Sequence, residues 1–407
     1  MSVITVFGGA FCHREIILEK IIKKTGYKLI RDQDVTVKAS KLSGIKENRI
    51  KKAFLDKTSI FNTFTHEKEK SLAFLKLAVA EILNEDNLLI YGYSGLLIPK
   101  AVTHVLRICI IADINYRIDI GKKEKGISRT AALSEIQKED SQQAAWVNRL
   151  FKINDPWDAS LYDILVPADK MDLDEITELI DDNLKNEILK PTEASKKAAI
   201  DFALAANVEK TLAMEGHSVD VSARDGLITI TINTNVIMLE KLEKELKNIA
   251  VKVPGVKSVE TRVGKGFHQN DVYRKYDFNM PSKVLLVDDE RKFVQTLSER
   301  LQMRAMGSAV AYDGESALNM VKEDDPEVMI LDLKMPGIDG VEVLKKVKQT
   351  KPEVEVIILT GHGSEKDKEL CMKLGAFAYL NKPVNIDALS DTLKKAYGKF
   401  RNQNTEK

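Results

Sequence analysis

Residues 283–400 repeat one pattern five times: a short apolar run, then a stretch with apolar residues at helical spacing. The runs are Val284–Val287, Ser308–Tyr312, Val328–Leu331, Val354–Leu359 and Phe377–Leu380. The helical stretches open near Arg291, Glu315, Gly340, Glu365 and Ile386, with stripes such as Phe293, Leu297 and Leu301, or Leu344 and Val347. Short apolar strands alternating with helices read as a parallel sheet covered on both faces. The expected fold of this segment is a five-stranded doubly wound α/β domain, whose ligands bind beyond the carboxyl ends of the strands.

Those ends are rich in charge. The first strand runs into Asp288-Asp289-Glu290, the third into Asp332-Leu333-Lys334-Met335-Pro336-Gly337, the fourth into Thr360-Gly361 and the fifth into Asn381-Lys382-Pro383. Clustered carboxylates repel one another unless a cation neutralises them, and a hard ion with oxygen ligands such as Mg²⁺ fits. An ionised carboxylate beside such an ion can attack an activated phosphoryl group. Lys382 can offset the phosphoryl charge and Thr360 can donate a hydrogen bond. One strand-end acid alone is ordinarily a solvated cap. Acids, a hydroxyl and a lysine at the functional edge of one sheet point instead to a phosphoacceptor.

On these residues, together with Tyr379, the segment resembles the receiver domain of bacterial response regulators, a flavodoxin-like fold. The resemblance implies that Asp332 accepts phosphate from a sensor histidine kinase or a phosphotransfer protein. It implies that Asp289 and Asp332 ligate Mg²⁺ directly, with the backbone carbonyl of Lys334, while Asp288 acts through water. Lys382 would contact the phosphoryl group. Thr360 and Tyr379 would form a switch pair that remodels the face of the fourth helix, fifth strand and fifth helix. The Lys382–Pro383 bond is often cis in that family, and Lys334 and His362 stand where it tunes phosphoryl lifetime.

The chain has 407 residues, room for about two to three domains. Residues 1–188 again alternate strands with helices: Ser2–Phe7, Leu88–Tyr91 and Leu106–Ala112 read as buried strands, Glu15–Lys24 and Glu67–Leu83 as helices. The first strand meets Gly8-Gly9 and then Arg14-Glu15 at a helix start, the shape of a phosphate cradle. The G-x-x-x-x-G-K-[ST] loop is not met. The block resembles the cytidylate kinase-like proteins, relatives of nucleoside monophosphate kinases with a P-loop-kinase-like parallel α/β fold. The resemblance is carried by the opening strand and turn, Tyr91–Gly95, His104–Ala112, Tyr116-Arg117, Lys138–Asp140 and Asp155–Val166. The resemblance brings ATP or another nucleotide into view, with Gly8, Gly9 and Arg14 as phosphate contacts. Three departures weaken it. Phe11-Cys12-His13 replaces the glycine-rich loop, Tyr93 stands for an arginine, and Gln142 and Gln143 occupy another arginine's place. Phosphoryl transfer depends on positive charge around the phosphates. With Arg14, Arg117 and Arg129 as the remaining anion contacts, a degenerate kinase used for sensing or interaction is expected over a working one. Cys12 and His13 lack a third partner for metal or nucleophile chemistry, and Trp146 and Trp157 read as packing.

Between these blocks, residues 198–265 form a small α+β unit. Ala198–Glu215 reads as a helix, and Ser218–Ala223 and Leu227–Asn233 as strands joined by a turn at Asp225-Gly226. A charged helix at Leu239–Ile249 and a strand at Val256–Val263 follow. The Asp225–Ile230 hairpin and the Val253–Val259 turn and strand resemble the BON module. The resemblance associates it with membrane or ligand binding, and the reading here is a docking or relay module. Residues 186–197 and 266–282 are polar or aperiodic and read as linkers.

Lys+Arg is 62 and Asp+Glu is 61, a net charge of +1, which argues against a chain that coats nucleic acid. No helix-turn-helix block follows the receiver-like segment, so no DNA partner is expected. The three cysteines, Cys12, Cys109 and Cys371, lie far apart, excluding a disulfide framework and fitting a cytoplasmic setting. No run has the roughly 20 apolar residues of a membrane span. A downstream protein partner is expected, and a homodimer stays open.

Overall fold

The computed structural model describes residues 2–54, 67–234, 236, 238–264, 280–304, 306–361 and 363–405. They fall into two compact units, one running from the N-terminus through a three-stranded sheet, the other holding the C-terminal α/β segment.

The first unit is built on a five-stranded sheet. Its strands are β1 (Val3–Gly8), β2 (Lys28–Arg31), β3 (Leu88–Tyr91), β4 (Val105–Ile111) and β5 (Ile164–Pro167), all parallel, in the order β2-β3-β1-β4-β5. The period of two in β1 explains its burial. Ile4 and Val6 face a layer with α1 (Arg14–Thr25), through Ile17, Leu18 and Ile21. Val3 faces the opposite layer, with Phe74, Leu75 and Val79. The four residues of β2 carry too little alternation to stand out in the sequence.

The second layer holds α2 (Asp32–Ser43), α3 (Glu47–Lys51), α4 (Glu67–Ile82) and α6 (Arg129–Phe151), with α5 (Ile114–Lys125) following β4. Helix α7 (Leu173–Leu184) joins α1 on the first face through Ile176 and Ile180. Arg107 lies buried in β4 with its guanidinium donating to the carbonyls of Val105, Pro99 and Val102, so its polar groups are satisfied inside the core.

Helix α8 spans Glu193–Met214. It begins inside the segment 186–197 that its polar residues mark as a linker. Thr192 accepts a hydrogen bond from the Ser195 amide and caps it, so the helix opens with a capped polar turn. The first half of α8 packs Phe202 and Ala206 into the parallel-sheet core. The second half packs Val208 and Leu212 with Ile228, Ile230 and Ile232 of the small sheet. Lys76 on α4 donates to both carboxylate oxygens of Glu209, at 2.9 and 2.8 Å.

His104 fixes the start of α8. Its amide donates to the Ser195 hydroxyl oxygen at 3.1 Å, and that hydroxyl lies 2.5 Å from its Nδ1. Burial is the main cause that lowers this imidazole below its usual 6.5. The unfolded chain takes up this proton at a higher pH, near 6.5, than the folded chain does. Stability is therefore lost as pH falls, by up to about 1.4 kcal/mol per pH unit. Urea midpoints measured from pH 7.5 down to 5.5 should fall more steeply for wild type than for His104→Asn.

The small sheet contains β6 (Asp220–Arg224), β7 (Leu227–Ile232) and β8 (Ser258–Val263). β6 and β7 pair antiparallel across Asp225 (φ 58°) and Gly226 (φ 83°), the two left-handed residues a tight hairpin needs. β8 returns parallel to β7 after α9 (Leu239–Ala250), which buries Leu242, Leu246 and Ala250. The segment read as a second linker, 266–282, lies outside the described residues up to 279.

The second unit repeats the parallel plan. β9 (Val284–Val287), β10 (Ser308–Ala311), β11 (Val328–Leu331), β12 (Glu355–Thr360) and β13 (Ala378–Asn381) lie in the order β10-β9-β11-β12-β13, all parallel. Helices α10 (Arg291–Gln302) and α14 (Ile386–Thr405) cover one face through Val294, Leu297, Leu389 and Leu393. Helices α11 (Gly314–Asp324), α12 (Gly340–Thr350) and α13 (Glu365–Lys373) cover the other. This is the flavodoxin-like strand order, and its direction reverses between β9 and β11. Among the described residues no helix is long and apolar enough to cross a membrane.

Candidate functional site

The strand register of the second unit assembles the acidic edge. Val287 pairs with Leu331, so residues 288 and 332 leave β9 and β11 side by side, and the Asp332 amide donates to the Val287 carbonyl. Thr360 ends β12 beside Asn381, and the Lys382 amide donates to the Thr360 carbonyl. Five of the residues expected to act together, Asp288, Asp289, Asp332, Thr360 and Lys382, thus meet at the strand-reversal point. Asp289, Glu290, Phe293, Asp332, Lys334, Thr360, Gly361, Lys382 and Pro383 line an open cleft of about 370 Å³ there.

Asp288 and Asp332 are buried and Asp289 is exposed. One oxygen from each lies within 4.8 Å of the others, a spacing that a single cation bridges. Lys382 Nζ reaches Asp288 at 2.7 Å, Glu290 at 2.9 Å and Asp332 at 3.3 Å. Burial pushes the Asp288 carboxyl above the usual range, and the hydrogen bond from Lys382 offsets this only in part. Burial would lower the Lys382 ammonium, but its bonds to Asp288 and Glu290 and the nearby carboxylate charge outweigh that and hold it above the usual lysine range. The other Asp332 oxygen accepts from the Leu333 amide at 2.7 Å. The Lys382–Pro383 peptide is cis.

Close backbone packing holds the loop after β11. A Cβ on Gly340 would lie 2.1 Å from the Asp332 carbonyl oxygen, so only glycine lets α12 start against that backbone. Tyr379 reaches under the loop that follows Thr360. Its hydroxyl is buried and finds no hydrogen-bond partner among the described residues. His362 lies outside the described residues.

The turn after β1 is filled from within. The Gly8 carbonyl accepts from Arg14 at 2.9 Å and from the Gln143 amide at 2.8 Å. Arg14 also donates to Glu139 at 2.5 Å. Arg117 donates through Nε to the Ala10 carbonyl and through both terminal nitrogens to Asp140, at 2.9 and 2.6 Å. Gly9 is the point over which that guanidinium lies: a Cβ there would be 2.9 Å from Arg117 Nη2. Phe11 turns inward at φ 58° and Cys12 is fully buried, its thiol pushed up to about 11 by burial. Trp146 is core, as expected, and donates its ring N–H to the Tyr93 carbonyl. Gly8, Gly9 and Arg14 thus come together as expected, but their contacts are with the protein itself. Arg129 is exposed and bonds Asn115.

Residues 284–394 match the family model of the response regulator receiver domain. This segment is a response regulator receiver domain. The transcriptional regulatory protein CpxR of Escherichia coli (strain K12) is 37% identical over 129 residues, 31% of this chain and 55% of that protein. CpxR of Klebsiella pneumoniae is 38% identical over a stretch of the same length. The chain spans about half the length of these curated relatives. A receiver domain structure from Clostridium thermocellum is 34% identical, covering 30% of this chain and 98% of that one with a TM-score of 0.29. Residues 3–170 match the cytidylate kinase-like family.

In the receiver cleft, two residues that received no role from the sequence make direct contacts. Glu290 pairs with Lys382, and the Phe293 ring centroid lies 4.5 Å from the same Nζ. Glu290 was visible as a third strand-end acid, whereas Phe293 read only as part of a helix stripe. In the N-terminal block, Gln143 stood out as a missing arginine. Its bond to the turn could not be inferred, because it joins residues 135 apart in sequence.

Proposed function

We propose that this chain is a response regulator of two-component signalling, phosphorylated on Asp332 by a sensor histidine kinase or phosphotransfer protein. The observation that carries the reading is the buried Asp332 carboxylate with Lys382 at 3.3 Å and two further carboxylates at bridging distance. Hard oxygen donors at that spacing fit Mg²⁺. Asp289 and Asp332 would hold it with the Lys334 carbonyl, and Asp288 through water. The ion would supply charge neutralisation for the phosphoryl oxygens. Among the chain's own groups, Asp332 is the nucleophile, Lys382 balances the phosphoryl charge, and Thr360 and Tyr379 relay the change. After acetyl phosphate with Mg²⁺, intact mass should rise by one phosphate in wild type and not in Asp332→Asn. Equal gain in both proteins would refute the assignment.

The N-terminal block is read as a sensing or interaction domain derived from a nucleotide kinase. Arg14 and Arg117, two cations at the turn, are each engaged by a carboxylate and a backbone carbonyl of the turn itself. A phosphate arriving there would have to displace those bonds. The second reading, a nucleoside monophosphate kinase gated by its receiver, is favoured by the family match alone. ATP and CMP titrated into the full chain by calorimetry, followed by an ADP-release assay, decide between them. Turnover that depends on residues 8–15 would establish the kinase. The BON-like unit is read as a docking or relay module, and the setting as cytoplasmic.

A further inference from the structure

Glu290 has no part in the metal or phosphoryl contacts assigned above, yet it lies nearer to Lys382 Nζ than Asp332 does, 2.9 against 3.3 Å. Its amide donates to Asp288 Oδ1 at 2.9 Å, which fixes the backbone at the head of α10. From there the side chain, 64% exposed, reaches Lys382 across the mouth of the cleft. One turn on, Phe293 places its ring 4.5 Å from the ammonium. An ammonium has three donors, and here three carboxylates, Asp288, Glu290 and Asp332, surround it.

We infer that Glu290 is a competing carboxylate that occupies Lys382 until a phosphoryl group arrives, and so limits the rate at which the receiver is phosphorylated. The inference rests on the reading of Asp332 as acceptor. A phosphoryl oxygen needs one of the three donors. Asp288 and Asp332 are buried and lose much if abandoned, whereas Glu290 regains water when it lets go. Its charge also faces the path of an anionic phosphodonor. Glu290 is thus the ligand that yields, and the exchange of its carboxylate for the phosphoryl oxygen sets a cost on each transfer.

The test uses the full chain and acetyl phosphate, with Mg²⁺ titrated to saturation for each variant, so that any change in metal affinity is separated from the rate. In the step, an Asp332 carboxylate oxygen bonds to phosphorus, the phosphorus–oxygen bond to the acetyl group breaks, and acetate leaves with the electron pair. No proton is required. Glu290→Gln should gain phosphate about two- to fivefold faster than wild type, the range expected for one exposed ion pair, with a weaker dependence on ionic strength. Glu342→Gln on α12, an equal loss of charge away from the cleft, should match wild type. A Glu290→Gln rate at or below wild type, with Asp332→Asn unlabelled, overturns the role of Glu290 and leaves Asp332 in place. If wild type gains no phosphate, or Asp332→Asn gains as much, the acceptor assignment fails and the Glu290 proposal with it.

Discussion

Arg117→Met is expected to destabilise the N-terminal unit by about 3 kcal/mol, the low end for breaking a buried ion pair. At this unit's size that is a fall of about 5–10 °C in Tm. The Arg117 side chain is 4% exposed and holds Asp140 with two hydrogen bonds and the Ala10 carbonyl with a third. Asp140 is 28% exposed and recovers some hydration when left alone, which places the cost at the low end. Asp140→Leu combined with Arg117→Met should restore part of the loss, because no stranded carboxylate remains. The prediction separates two uses of one arginine. A phosphate-binding arginine, freed from Asp140 for substrate, would show its loss in turnover with little change in Tm. Thermal unfolding followed by circular dichroism, with the ADP-release assay alongside, gives both readouts. A shift under 2 °C would refute the structural role.

The receiver was legible because its candidate site is concentrated at strand ends. A strand boundary set by apolar residues fixes where the next polar residue emerges. Asp288, Asp332, Thr360 and Lys382 could therefore be placed together from the runs before them. The turn after β1 was legible only in part. Gly8-Gly9 and Arg14 marked a candidate cradle, and the departures at Phe11–His13 argued against a working loop. Apart from Arg14, what fills the turn comes from α5 and α6, more than a hundred residues further on. Arg117, Glu139, Asp140 and Gln143 carry no local signal of that pairing. Helix α8 was misplaced at its start for a different reason. Its first turn, Glu193–Lys196, is polar because Glu193 and Lys196 are exposed while Ser195 is buried to bond His104, and polarity after Pro191 reads equally as linker or as a capped helix. Glu290 shows a further limit: sequence adjacency to Asp288-Asp289 suggested an acid cluster, but not which acid holds the lysine.

Gly363→Ala is expected to expel the Tyr379 ring while leaving Asp332 phosphorylation within about twofold of wild type. A Cβ at position 363 would lie 1.6 Å from the Tyr379 hydroxyl and 3.0 Å from Thr360 Cγ2. The backbone at 363 lies outside the left-handed region, so alanine is tolerated there and the clash falls on the ring. The inward ring is held by opposing terms of similar size. Packing the half-buried ring on the core contributes less than the about 1.5–3 kcal/mol of a fully buried side chain, while its hydroxyl, buried with no partner among the described residues, costs about 1–3 kcal/mol. For a side chain balanced in this way we expect two populated positions, with a small bias at Thr360 selecting between them. The added methyl removes one position outright. Fluorotyrosine labelling with ¹⁹F NMR reads this directly, with Tyr379→Phe assigning the resonance among the 10 tyrosines. In Gly363→Ala the resonance should take the solvent-exposed shift with and without acetyl phosphate, whereas in wild type it should respond to phosphorylation. A buried resonance in the alanine variant would mean that the loop moves instead of the ring. Position 363 would then have no control over the switch.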